Sequence, residues 1–231
     1  MEKHTHPIRA VIFDMDGTLI DTERIGAASW DHAGRDLGIH VPDPLKRNMV
    51  GRTLPDIQSL VRDALPHADT DQLLGRANHH YHRLVTETTP PIKAGALALL
   101  DWLRERKIPM AIATSSRAFQ AEDKLGRTGL RDYFSVVVAG DQVARGKPDP
   151  EIFQTAAQHL GFPARECVVF EDSGPGIEAA ERAGTFAVLV PEHPPADPAQ
   201  ACFASAVLNS LEAAPALLAP FFTIATPSDR A

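Results

Sequence analysis

Five short apolar runs constrain this chain more than any other feature: Ile8 to Phe13, Met110 to Ala113, Val136 to Ala139, Val168 to Phe170 and Phe186 to Val190. Most are rich in Val and Ile, all are too short for a typical helix, and, Arg9 apart, their positions are consecutively apolar rather than alternating. That pattern predicts parallel strands buried on both faces. Between the later runs lie stripes of helical spacing, namely Leu97, Leu100 and Leu103; Ile152, Phe153, Ala156, Ala157 and Leu160; and Ile177, Ala180 and Ala183. Strand and helix in alternation predict an α/β fold with a parallel sheet. Gly161, with Pro163 behind it, and Gly184 are expected helix stops, and Asp149 before Pro150 is an expected N-cap with proline at the first helical position.

From about Thr22 to Pro90 the rhythm breaks. No central strand is legible there, only helical stripes such as Ile57, Leu60, Val61, Ala64 and Leu65, then Leu73, Leu74, Ala77, Tyr81 and Leu84. Residues 22–90 are therefore expected to form an α-helical insertion into a core made of residues 1–21 and 91–231. Asp21-Thr22 and Pro90-Pro91 are the expected hinges, because both interrupt regular structure. An insert at this point is expected to overhang the end of the first strand. After Val190 the sequence is rich in Pro and Ala and reads as a loop ahead of a last edge strand near Ala206 to Leu208, with Ala225 to Ala231 expected to fray.

With 231 residues and 44% hydrophobic content, the chain can bury one large core and carry a sizeable insert. A formal charge of −7 argues against nucleic-acid binding, which needs a clustered basic surface. No signal-peptide pattern opens the sequence and no run of about 18 apolar residues follows, so no membrane association is expected. Cys167 and Cys202 lack zinc-ligand spacing and suggest no disulfide framework, which fits a soluble protein of the cytoplasm. The histidines of His4/His6 and of His79-His80-Tyr81-His82 are expected to be neutral surface residues, since neither cluster has a confirmed set of metal ligands.

Chemistry gathers where the strands end. The first run passes into Asp14-Met15-Asp16-Gly17-Thr18-Leu19. Residues i and i+2 of an extended chain face one side, so both carboxylates converge on one small volume and need a cation or a proton there; a solvated acidic turn also explains this motif taken alone. Thr114-Ser115-Ser116 follows the second run, offering a hydroxyl and backbone N–H groups to an anion, or simply capping a helix that begins near Arg117. Gly146-Lys147-Pro148-Asp149-Pro150 presents a lysine on a stiff loop, and Glu171-Asp172-Ser173-Gly174-Pro175-Gly176 supplies a second acidic pair. Asp14, the Asp16 carbonyl and Asp172 make a hard oxygen set suited to Mg²⁺, whereas zinc would want His or Cys.

These four motifs, in this order, resemble the haloacid dehalogenase-like hydrolase superfamily, over the span from Ile8 to about Val190. The resemblance implies a Rossmann-like parallel core, an α-helical cap that opens and closes over the site, and phosphoryl transfer, because relatives acting on carbon–halogen or phosphonate bonds usually lack a carboxylate at the position of Asp16. It further implies a Mg²⁺-dependent phosphatase acting on a small phosphorylated metabolite. Asp14 is then the nucleophile, Asp16 the acid and base, and Thr114, Ser115 and Lys147 the holders of the phosphoryl oxygens. The metal falls to Asp14, Asp16 and Asp172, with Glu171 acting through water. Arg52 is the candidate contact for a second substrate anion, its planar fork suiting phosphate or carboxylate.

Two alternatives stay open. A β-phosphoglucomutase-like mutase shares Asp21-Thr22 and Trp30, but Gly26 stands where it has a hinge histidine and Ala77 where it has a cap lysine. A non-enzymatic phospho-acceptor of the response-regulator kind carries its aspartate on an internal strand after an earlier acidic pair, an order this chain reverses. The substrate and the choice between monomer and dimer are not legible at this level.

Overall fold

Each apolar run forms a strand. The structure, a computed structural model, describes residues 6–49, 54–191 and 196–222. β1 (Ala10–Phe13) is buried along its whole length. The chain then leaves the sheet for α1 (Thr22–Leu37), α2 (Asp43–Met49), α3 (Leu54–Ala64) and α4 (Thr70–Glu87), which make up a unit of their own spanning Asp21–Pro91. Asp21 caps α1 by accepting the Arg24 N–H at 3.2 Å, and Asp69 caps α4 through Gln72 at 3.0 Å. The apolar faces of these helices meet around Ala33, Val41, Leu45, Val61, Leu73 and Ala77. A cavity of about 490 Å³ opens within the unit, with Gly26, Trp30, Leu54, Ala77 and Tyr81 on its wall. His80 departs from the expected surface position: it is buried, with Nε2 2.7 Å from Asp36 Oδ2 on α1. The carboxylate satisfies a ring nitrogen that burial would otherwise strand.

The second unit joins Met1–Ile20 to Ile92–Ala231. It continues with α5 (Ala96–Glu105), β2 (Met110–Thr114), α6 (Ala118–Thr128), β3 (Val136–Ala139), α7 (Glu151–Leu160), β4 (Cys167–Glu171), α8 (Gly174–Arg182) and β5 (Phe186–Leu189). Three short elements close it: α9 (Pro198–Ala201), β6 (Ala206–Val207) and α10 (Ala214–Leu218). Among the described residues the strands form one sheet in the order β3-β2-β1-β4-β5-β6, every pair parallel. This is the doubly wound, Rossmann-like order, and such sheets bind their ligands beyond the carboxyl ends of the strands where the order reverses, here about β1.

Side chains alternate across the sheet. Ala10 and Ile12 of β1 join Ile152, Phe153 and Ile177 from α7 and α8 in one core layer. Val11 and Phe13 join Leu99, Leu103 and Leu125 from α5 and α6 in the other. Phe13 stacks on Phe170 of the neighbouring strand at 5.3 Å between ring centroids, close to the point where both strands end in acidic residues. Gly161 ends α7 in the left-handed region at φ +81. The start of α7 differs by one residue from expectation: Pro150 is the N-cap, while Asp149 Oδ1 still accepts the Glu151 N–H at 3.1 Å. No helix of the described residues is long and apolar enough to cross a membrane.

Because Phe170 is fully buried against Phe13, Phe170→Ala should destabilise this unit by about 3–5 kcal/mol. The midpoint of its urea unfolding, compared with wild type at unchanged slope, measures that loss.

Candidate active site

Asp14 follows β1 without a break, and its backbone N–H still donates to the Phe170 carbonyl at 2.9 Å, so the sheet fixes its position. Lys147 arrives from the loop between β3 and α7. Its ammonium donates to Asp14 Oδ1, to Glu171 Oε1 at 2.7 Å and to the Ala113 carbonyl at 3.3 Å, tying together the ends of β1, β4 and β2. The Phe153 ring lies beneath it, 5.0 Å from Nζ. Burial works against the charged form of Lys147, but the carboxylates of Asp14 and Glu171 outweigh it and hold the pKa above its ordinary value, so the side chain is an ammonium.

Glu171 is 1% exposed and both of its oxygens are committed. Oε1 faces Lys147, while Oε2 accepts the Ser173 N–H at 2.6 Å and the Ser173 hydroxyl at 2.9 Å. Gly176, in the first turn of α8, allows this: a Cβ there would fall 1.8 Å from Glu171 Oε1. Gly17 plays the same part for Asp172. It sits at φ +90, where its Cβ would fall 2.2 Å from Asp172 Oδ2. The Thr18 hydroxyl then donates to Asp172 Oδ1 at 3.0 Å.

Asp14, Glu171 and Asp172 thus bring one carboxylate oxygen each within 4.8 Å of one another. Desolvation, opposed by Lys147 and reinforced by Glu171, pushes Asp14 up to about 7. Desolvation together with the charges of Glu171 and Asp14 also raises Asp172 well above the usual carboxylate range. Two of these three carboxyl groups pair with the Lys147 ammonium, and the donors are all hard oxygens with no His or Cys among them. Such a set fits a divalent cation of the Mg²⁺ kind, which would relieve the repulsion that raises both aspartates.

Asp16 stands apart from that cluster. Its Oδ1 accepts from Lys124 Nζ at 2.6 Å and its Oδ2 from the Ser116 hydroxyl at 2.7 Å. Thr114, 1% exposed at the end of β2, accepts the Ser116 N–H on its hydroxyl at 3.1 Å, while Ser115 is exposed. Gly140 backs this turn, since a Cβ there would meet the Ser115 carbonyl at 2.4 Å. Arg52 lies outside the described residues.

The motifs do not announce Lys124. Its signal is positional: Lys124 shares a helix face with the buried Ala121 and Leu125, and a charge on a buried face requires a partner. Ser116 lies within a recognised motif, yet nothing in sequence separates it from Thr114 and Ser115. Thr18 and Ser173 are local partners of Asp172 and Glu171 that only the turn geometry reveals.

Such a sheet, interrupted after its central strand by helices and carrying acids and a lysine at its strand ends, defines an α/β enzyme core with an inserted unit. The chain belongs to the haloacid dehalogenase-like hydrolase family, whose sequence pattern matches residues 8–184. It is 34% identical to a phosphorylated carbohydrates phosphatase of Thermotoga maritima, over 77% of this chain and 82% of that protein. It is 32% identical to the β-phosphoglucomutase of Bacillus subtilis, over 81% of this chain and 85% of that protein. Among solved structures, a haloacid dehalogenase family hydrolase from Deinococcus radiodurans with bound phosphate and sodium superposes with a TM-score of 0.79 at 29% identity, covering 93% of this chain and 96% of that one.

The raised pKa of Asp172 has a consequence for stability. The folded metal-free protein holds a proton that the unfolded chain releases above about pH 4, so stability falls as pH rises from there towards the folded-state value. Asp172→Asn removes this titration while keeping an oxygen for the Thr18 hydroxyl. In EDTA, thermal melts should show the variant more stable than wild type at pH 8, with the gap narrowing towards pH 5.

Proposed function

We propose that the protein is a Mg²⁺-dependent phosphatase of the cytoplasm that hydrolyses a small phosphorylated metabolite, a sugar phosphate or similar ester, through an aspartyl-phosphate on Asp14. One observation carries this reading: the two acids of the first motif have different surroundings. Asp14 is bound to Lys147 beside Glu171 and Asp172, whereas Asp16 is held by Lys124 and Ser116 outside that cluster. A nucleophile and a proton carrier need that separation.

In the first displacement Asp14 attacks phosphorus and the bond to the ester oxygen breaks, with Asp16 giving that oxygen its proton. In the second, water attacks the phosphorus of the aspartyl-phosphate, Asp16 takes the proton, and inorganic phosphate leaves. Splitting hydrolysis in this way replaces one difficult step by two easier ones. Proton transfer by a placed carboxyl is worth typically about 10² to 10⁴ in rate. Lys147, the Thr114 hydroxyl and the Ser115 backbone N–H hold the phosphoryl oxygens in this reading, where one preorganised donor is worth roughly 3 to 4 kcal/mol. Asp14, the Asp16 carbonyl and Asp172 would hold Mg²⁺, with Glu171 acting through water because both its oxygens already have partners. When bound, the ion offsets the repulsion between these carboxylates and the phosphate.

A sugar phosphomutase is the second reading, favoured by the Bacillus subtilis relative. Against it stand Gly26 and Ala77, which line the cavity of the helical unit together with Trp30 and Tyr81; among the described residues no cationic side chain is on that wall. Substrate selection falls to the helical unit in either reading, with Arg52 the proposed contact for a second anion.

Replacing Asp14 with Asn should abolish turnover of p-nitrophenyl phosphate, and EDTA should do the same to wild type until Mg²⁺ is restored. Full activity surviving either treatment overturns the mechanism. A panel of sugar phosphates scored for both inorganic phosphate and isomerised ester decides the second reading: stoichiometric conversion of a hexose 1-phosphate to its 6-phosphate would establish the mutase.

A further inference from the structure

Lys124 is the buried charge that the reaction just described does not use. It lies on α6, 5% exposed, on the face that also buries Ala121 and Leu125. Burying an ammonium costs several kcal/mol, and an apolar side chain of similar length fills such a face at least as well. Packing therefore does not account for it. What Lys124 does make is a closed triangle: Nζ to Asp16 Oδ1 at 2.6 Å, Nζ to the Ser116 hydroxyl at 3.3 Å, and that hydroxyl to Asp16 Oδ2 at 2.7 Å. Each carboxylate oxygen is gripped from a different element, one from α6 and one from the turn after β2. The carboxyl group is held at two points while its side chain keeps 26% of its surface open.

We propose that Lys124, with Ser116, is a positioning residue for proton transfer, fixing the carboxyl plane of Asp16 so that it meets the departing and the attacking oxygen. The proposal rests on the phosphatase reading, in which Asp16 carries the proton. Two lysines with covered side chains then divide the work. Lys147 grips Asp14 and Glu171, whereas among the described residues the Lys124 ammonium meets Asp16 and Ser116. Loss of Lys124 must therefore slow the steps that move a proton and spare the attack of Asp14 on phosphorus. A lysine that only stabilised the fold would affect both alike.

The leaving group separates these cases. p-Nitrophenolate departs without a proton, so its release in the first displacement does not need Asp16, but hydrolysis of the aspartyl-phosphate does. An alkyl phosphate needs Asp16 in both. Stopped-flow and acid-quench measurements on wild type, Lys124→Met, Ser116→Ala and Asp16→Asn, each normalised to its folded fraction, test the idea. For Lys124→Met the burst of p-nitrophenolate should stay within about twofold of wild type, while steady turnover falls by about 10- to 100-fold and aspartyl-phosphate accumulates. Turnover of an alkyl phosphate should fall further than that of the aryl ester. Ser116→Ala, which removes one grip and no charge, should show the same pattern to a smaller degree, and it decides the matter if Lys124→Met does not fold. Burst and turnover falling by one common factor, or turnover unchanged in both variants, overturns the positioning role. If Asp16→Asn itself turns over like wild type, the phosphatase reading falls, and the proposal with it.

Discussion

The ends of β1 and β4 hold more negative charge than the protein neutralises by itself. Asp14, Glu171 and Asp172 converge on one volume, and the ammonium of Lys147 reaches the first two. In a medium of low dielectric such an arrangement does not form unless strong constraints keep the groups in place. The constraints are visible in the fold. β1 is fully buried and paired on both sides, so Asp14 has no freedom to retreat, and the Phe13–Phe170 stack locks the two acidic strand ends together. Hydrophobic burial over both faces of the sheet supplies the stability from which this local repulsion is offset.

Small residues at the site follow from the same crowding. Gly17 and Gly176 stand where any side chain would displace Asp172 or Glu171, and Thr18 and Ser173 supply the hydrogen bonds those carboxylates accept. Ser173 has a second task, since its hydroxyl also accepts the Gly176 N–H at 3.2 Å as the cap of α8. One serine therefore ties helix initiation to the orientation of Glu171 and, through it, to Lys147.

Much of this is legible in the sequence because the physics is local there. Five runs of consecutive apolar residues have no stable place except a sheet covered on both faces, and the polar residues that end those runs fall by topology at one edge of it. Lys124 is different. It sits in Ala121-Glu122-Asp123-Lys124-Leu125-Gly126-Arg127, where charge of both signs reads as a solvated helix face, and only the pairing of β1 with β2 brings Asp16 to it. His80 is hidden for a similar reason. Among neighbouring histidines it alone meets Asp36, through the packing of α4 on α1, and nothing in the order of residues marks it. The roles within Glu171-Asp172 likewise depend on the turn: the close approach of Gly176 commits Glu171 to its neighbours and leaves Asp172 with an oxygen to share.

The central position of β1 also sets an order of assembly. Val11 pairs with Met110 on one side and Val168 on the other, so the strand that carries the first acidic motif is synthesised long before either neighbour exists. Contacts so distant along the chain form slowly. During synthesis Ala10–Phe13 remains a short apolar segment with unpaired edges, the kind of surface that draws other chains, while the helices of Asp21–Pro91 already have their partners close by. The acidic cluster therefore comes into being only when β4 docks, and a chain interrupted before Glu171 has Asp14 but neither of the carboxylates that crowd it.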